Sequence, residues 1–214
     1  MTDARPTQPR LILASQSPRR AQLLRDAGLV FEQVSPPFAD PDQPEDRSLN
    51  AEQHAMELAR AKAASLARTL SSPALILAAD TLCVDHHNRL VGKPRDRDHA
   101  RAMLRGFANR DHAVVTGVAI QVAGPGQFRA GETRAFTDRA VVSFGEVSAQ
   151  TIEAYLDLDQ WRGKAGGYNL FDRQAAGWPI RVAGDPTTVV GLPMQRLLPI
   201  ITEVFAKLSP PPVH

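Results

Sequence analysis

The densest chemical signal in the chain is Ser15-Gln16-Ser17-Pro18-Arg19-Arg20, two hydroxyls and two guanidiniums set between a short apolar stretch and a helical one. Ser17 can cap the helix and Pro18 suits its first position. A helix N-terminus carries unpaired N–H groups and partial positive charge, and arginine adds a planar pair of donors, so the segment has the makings of a cradle for phosphate oxygens. An ordinary capped surface helix with solvated arginines would use the same residues.

Asp80 follows the apolar run Ala74 to Ala79. Its carboxylate is expected at a strand end, partly shielded from water, where it could hold a divalent cation or activate a water; capping a turn is the plainer alternative. Lys62 has Leu58 and Leu66 four residues to either side, so its stem borders an apolar stripe. Its amine could reach inward or snorkel out to solvent. Gly92-Lys93-Pro94 and Gly163-Lys164-Ala165-Gly166-Gly167-Tyr168 are two further loops where glycine lets backbone approach closely beside a lysine. Neither has the flanking glycine and hydroxyl of a Walker loop. Asp40 and Asp85 could lend further carboxylates to magnesium, which takes one or two along with phosphate oxygens and water. Cys83 and His86 have a Cys-x-x-His spacing, but no second pair follows and structural zinc is not expected. Signatures of serine hydrolases, dinucleotide enzymes and zincins are absent, which leaves phosphate chemistry.

These residues must be positioned by an alternation of strands and helices. Arg10 to Ala14 is a strand candidate, Pro18 to Ala27 a helix stopped by Gly28, and Leu29 to Val34 a second strand before a proline-rich loop holding Pro36, Pro37, Pro41 and Pro44. Ala55, Ala59, Ala63, Leu66 and Leu70 repeat at helical spacing, so a long helix is expected from about Leu49 to Leu70. Ala74 to Ala79 reads as a central strand buried on both faces, delivering Asp80 and Thr81 at its C-terminal end. A hairpin of Leu82 to Asp85 and Arg89 to Val91 around His86 to Asn88, a helix Asp96 to Phe107, a strand His112 to Val122, a turn at Gly124-Pro125-Gly126, a strand Phe128 to Phe144, a helix Ala149 to Leu158 and a closing helix Leu192 to Leu208 complete the reading. The fold class is therefore α/β, a mixed twisted sheet with flanking helices. Both ends, Met1 to Pro9 and Ser209 to His214, read as loose tails around one domain from about Arg10 to about Leu208.

Composition bounds the function. A chain of 214 residues with 43% apolar content can bury a core as one domain, folded as two lobes around a cleft. The net charge of +2 is too small to attract anions by a global field, so anion binding must rest on local clusters. Aromatic residues make up 6% and do not alternate with basic ones, so a nucleic-acid partner is not expected. One cysteine excludes an internal disulfide framework, and Met1 to Pro9 lacks the apolar core of a signal peptide, so a cytoplasmic location is expected. No run approaches the length of a membrane span.

Five segments taken in order, Leu11 to Arg20, Leu58-Ala-Arg-Ala-Lys-Ala63, Ala79-Asp-Thr81, Gly92-Lys-Pro94 and Gly163 to Tyr168, resemble the Maf-like nucleotide pyrophosphatases. Val189-Val-Gly-Leu-Pro193 is similar to the family's closing motif. The resemblance covers nearly the whole domain. It implies a Maf/ITPase-like cleft between two lobes, a homodimer, and magnesium- or manganese-dependent cleavage of a nucleoside triphosphate, either dTTP/UTP or a modified nucleotide, to the monophosphate and pyrophosphate. By position it implies that Asp80 is the general base or metal-holding acid and that Ser15, Arg20, Lys62 and Lys93 contact phosphates. Lys164 joins them as a substrate-binding candidate, and Asp40 aligns with a glutamate as a second metal candidate. Arg19 and Thr81 match base-selecting positions of the branch that prefers dTTP and UTP. The family's Tyr-Gly-Ile-Gln-Gly stretch reads Tyr168-Asn-Leu-Phe-Asp172 here, so Phe171 stands where a base-selecting glutamine is expected and could only stack or exclude. Thr151 replaces a frequent acidic residue. A nucleotide-sensing regulator of cell division, without useful hydrolysis, is the alternative that the same resemblance allows.

Overall fold

The computed structural model describes residues 10–39, 49–124 and 133–208. Asp40, both expected tails and most of the expected Gly124-Pro125-Gly126 turn lie outside the described residues.

One mixed sheet organises the chain in the order β2-β1-β3-β5-β6-β7, with β4 also paired to β3. β1 (Arg10–Ala14) lies between β2 (Glu32–Val34) and β3 (Ala74–Val84), parallel to both. β4 (Leu90–Val91) folds back on β3 as a hairpin. β5 (Asp111–Ala123), β6 (Thr133–Phe144) and β7 (Ile180–Ala183) extend the sheet antiparallel from the other edge of β3.

The two-residue period of β3 decides what each face does. Leu75, Leu77 and Ala79 join Leu11 and Leu13 in packing against α1 (Pro18–Asp26) and α7 (Met194–Leu208). Ala74, Ile76 and Ala78 turn to the opposite face, where Ala59, Ala63 and Leu66 of α2 (Ala51–Ala67) cover them. Each such large aliphatic side chain contributes about 1.5–3 kcal/mol by leaving water. α2 begins at Asn50, whose side chain and that of Gln53 form a reciprocal capping box, and it ends before Leu70. It lies so close to β5 that a Cβ at Gly117 would sit 2.3 Å from the carbonyl of Ala55.

A second cluster gathers under α3 (Arg97–Phe107), α4 (Ala149–Asp157) and α5 (Leu170–Ala175). Phe107, Phe144, Tyr155, Tyr168 and Trp178 meet there at ring-centroid separations of 5.0 to 6.2 Å, with Trp161 1% exposed among them. The two clusters are the two lobes, and the long strands β5 and β6 run through both.

Three expectations are corrected. β3 does not break between Ala79 and Leu82: its ladder to β5 runs on through Asp80↔Gly117 to Val84↔Ala113 and joins the two expected strands into one, because backbone pairing does not require apolar side chains. The strand expected over Leu29 to Val34 shrinks to Glu32–Val34, an edge strand that meets only three residues of β1. α5, β7 and α6 (Pro186–Val190) occupy a stretch where the sequence pattern predicts no element.

Candidate active site

The site lies at a gap in the sheet. β1 pairs with β3 as far as Ala14↔Ala78, and β4 takes up the same edge only at Cys83↔Val91. Between those points β3 exposes an edge at Asp80 and Thr81, and a cleft of about 370 Å³ opens beside it. Strand alternation sends these two side chains to opposite faces. Asp80 turns toward α2, where Lys62 Nζ donates to its Oδ1 at 2.5 Å with both residues 8% exposed. Thr81 turns toward α1, where Arg20 donates to its hydroxyl at 2.9 Å.

The loop after β1 is fixed by its own polar groups. Ser15 Oγ accepts from Ser17 N at 3.1 Å and from the Arg20 guanidinium at 3.2 Å, while Ser17 Oγ caps α1 by accepting from Arg20 N at 3.4 Å. From β2, Gln33 donates to the Ser15 carbonyl at 2.9 Å. Arg20 Nε donates to the carbonyl of Gly191 at 2.9 Å, tying the start of the domain to its end. Gly191 has φ +123°, and a Cβ there would press on Arg20 at 2.9 Å, so both backbone shape and space call for glycine. The hydrogen bonds continue inward. Thr116 donates to the Thr188 carbonyl at 2.8 Å and therefore accepts from Thr81 at 2.9 Å, and Thr188 in turn donates to Asp138.

The far wall comes from the second lobe. Gly166 N donates to the Gly92 carbonyl at 3.1 Å, joining the two lysine-bearing loops and placing Lys93 and Lys164 on the cleft. Lys164 donates to the Gln160 carbonyl. Burial, with Arg19 nearby as the next cause, lowers the pKa of its amine. Tyr168 pairs with His112 at 2.7 Å, and burial holds the His112 pKa down at about 4. Burial also pushes the Cys83 thiol up to about 12, which makes it an inert part of the wall.

The sequence candidates Arg19, Arg20, Lys62, Asp80, Thr81, Lys93 and Lys164 all line this one cleft, giving five basic side chains around one carboxylate among the described residues. Ser15 stands just behind the lining, bonded to Arg20. Phe171, expected at the base position, is not among the lining residues and is 43% exposed on α5. Asp85 turns away and holds its hairpin, accepting from His87 N and Arg89 N. Lining residues that sequence reasoning passed over include Gln16, Asn169, Leu170, Val189 and Val190. Val189 and Val190 belong to the Val189-Val-Gly-Leu-Pro193 motif, their one signal in the sequence.

The family model described as "Maf-like protein" matches residues 10–204. The dTTP/UTP pyrophosphatase of Salinibacter ruber is 40% identical over 199 residues, covering 92% of each chain. That of Brucella abortus is 35% identical over 201 residues, again covering 92% of each. Among solved structures, a nucleoside-triphosphatase / dITP/XTP pyrophosphatase of Mycobacterium abscessus aligns at 16% identity with a TM-score of 0.38, covering 65% of this chain and 76% of that one. The family model spans nearly the whole domain and the relatives match along the same length, so the chain belongs to the Maf-like protein family.

Proposed function

We propose that the cleft is the catalytic centre of a nucleoside triphosphate pyrophosphatase, a hydrolase that cuts between the α- and β-phosphates and prefers dTTP and UTP. The observation that carries this reading is the pairing of one buried carboxylate, Asp80, with five basic side chains around a single cleft. A triphosphate brings several negative charges, and Arg19, Arg20, Lys62, Lys93 and Lys164 offset them where water is partly excluded. The names of the relatives, dTTP/UTP pyrophosphatases, support the same reaction and base class.

The donor set suits magnesium or manganese. Lys62 occupies Oδ1 of Asp80, and Oδ2 carries no bond among the described residues. One carboxylate plus phosphate oxygens and water is an ordinary magnesium shell, in which Asp80, with Asp40 as a second candidate, would hold the ion. Bound there, the ion supplies charge neutralisation on the phosphate oxygens. Lys62 fixes the Asp80 carboxylate in place. Asp80 orients a water toward the α-phosphorus and takes its proton as the new P–O bond forms. The bond to the bridging oxygen breaks, and pyrophosphate leaves with the electron pair, its charge met by the lysines.

A homodimer and a cytoplasmic setting accompany this reading as family expectations, with the nucleotide as partner in place of nucleic acid or membrane. No helix among the described residues is long and apolar enough to cross a membrane. The test is pyrophosphate release from a panel of nucleoside triphosphates with magnesium or manganese, comparing wild type with Asp80→Asn. The variant is expected to keep nucleotide binding and to lose turnover by roughly 10²–10⁴-fold, the range for removal of a general base. Wild-type turnover in the variant would remove Asp80 from this role. Tight binding without release by the wild type would favour a nucleotide-sensing regulator instead.

A further inference from the structure

We infer that Asn169 reads the edge of the base and that Asp172 sets which way it reads. The inference rests on the nucleotide reading of the cleft given above. Asn169 lines the cleft between Tyr168 and Leu170. It also stands at the N-cap of α5, where an asparagine oxygen ordinarily accepts a backbone N–H from the first turn of the helix. No such bond forms here. Instead Nδ2 donates to Asp172 Oδ2 at 2.8 Å. That bond uses one amide hydrogen and leaves Oδ1 and the second amide hydrogen without a bond among the described residues.

Other side chains leave the role open. Phe171 is outside the lining and has no amide. Cys83, Val114, Leu170, Val189 and Val190 supply the apolar part of the lining, with no strong side-chain donor or acceptor. Gln16, the other carboxamide of the lining, belongs to the loop after β1 and donates to Ser35 at 2.7 Å. The sequence departs from the Tyr-Gly-Ile-Gln-Gly pattern at four places, three of them linked. An amide is missing at Phe171, one is present two residues earlier at Asn169, and a carboxylate that grips it stands at Asp172.

Uracil and thymine present N3–H between two carbonyl oxygens. A carboxamide matches that edge with two parallel hydrogen bonds, Oδ1 accepting N3–H while Nδ2 donates its second hydrogen to O4. Cytosine presents the reverse order, an acceptor N3 beside an amino donor, and would be matched only if the amide turned over. Turning over would bring Oδ1 against the Asp172 carboxylate, two acceptors with no hydrogen between them. Asp172 thereby locks the amide in the orientation that suits the imide edge of uracil and thymine.

UTP and CTP differ only along that edge, so the experiment measures kcat/KM for pyrophosphate release from both, in wild type, Asn169→Ala and Asp172→Asn. The wild type is expected to favour UTP. Asn169→Ala should lower kcat/KM for UTP by roughly 10- to 100-fold, the range of a bidentate contact to a base edge, and leave CTP little changed. Asp172→Asn places a carboxamide that can face the Asn169 amide either way round, so the CTP rate should rise relative to UTP. An active Asn169→Ala enzyme whose UTP-to-CTP ratio stays within about twofold of wild type would overturn the inference and leave the pyrophosphatase reading standing. A wild type that does not favour UTP over CTP would overturn it as well. Absence of release from every nucleotide by the wild type would remove the underlying reading and this assignment together.

Discussion

On the sheet side of the cleft, Ser15, Arg20, Lys62, Asp80 and Thr81 are held by polar bonds of 2.5 to 3.2 Å. On the far side, Lys93, Lys164 and Asn169 ride on a lobe whose interior is Phe107, Phe144, Tyr155, Trp161 and Trp178. The first wall is set by direction, since each donor has a stated acceptor. The second is set by volume, since close-packed rings decide where the lysine loops can lie. Loss of the polar bonds that hold the first wall should therefore register mainly in turnover, and loss of the rings packed behind the second mainly in stability.

The strongest way to break this contrast is Trp161→Ala. The ring is 1% exposed and its N–H donates to the Leu156 carbonyl at 3.3 Å, so truncation removes that bond and leaves a cavity. A loss of about 4 kcal/mol is expected in urea unfolding. A midpoint close to wild type would show that the aromatic lobe is not what supports the far wall.

His112 gives a smaller effect with a definite sign. Its ring stacks on Phe107 at 4.1 Å and is 3% exposed, so folding keeps it neutral, with a pKa of about 4 in place of 6.5. Between those values the unfolded chain binds the extra proton. Its contribution is complete above pH 6.5 and is lost as pH falls through about 4, amounting to about 3 kcal/mol. An NMR titration of the ring checks this directly. A midpoint near 6.5 would mean that water reaches the lobe.

The smallest expected effect sharpens the comparison from the other wall. Ser17→Ala removes the α1 cap and should cost about 1 kcal/mol of stability. Because Ser17 lines the cleft, KM for the triphosphate should rise as well. An unchanged KM would make Ser17 a cap and nothing more.

Much of the sheet wall was legible in the sequence because its signals are local. Ser17 and Pro18 announce the start of α1, and the period of α2 puts Lys62 beside its apolar stripe. The partner of Lys62 was not legible. Nothing within α2 encodes Asp80, which arrives from β3 only when the sheet assembles. The chain of hydroxyls from Thr81 through Thr116 to Thr188 joins three elements distant in sequence and left no periodic trace. The break expected in β3 between Ala79 and Leu82 has the same origin, because the apolar run is interrupted where the site begins while the backbone ladder is not. α5, β7 and α6 are too short to show a period, although Asp185-Pro186 carries the cap and first-turn proline of α6 in plain view.

The bond from Arg20 to the Gly191 carbonyl has a consequence for how the protein is born. It joins residues 171 positions apart, so a nascent chain can build the loop after β1 long before the carbonyl that braces it exists. β1 meets its neighbour β3 only after α2 has been made, and Thr81 waits for Thr188 in the same way. The cleft cannot close until Gly191 has been made, with α7 alone still to follow among the described elements. A ribosome that stops before residue 191 releases a chain with its lysines and arginines in place and no closed site to put them to use.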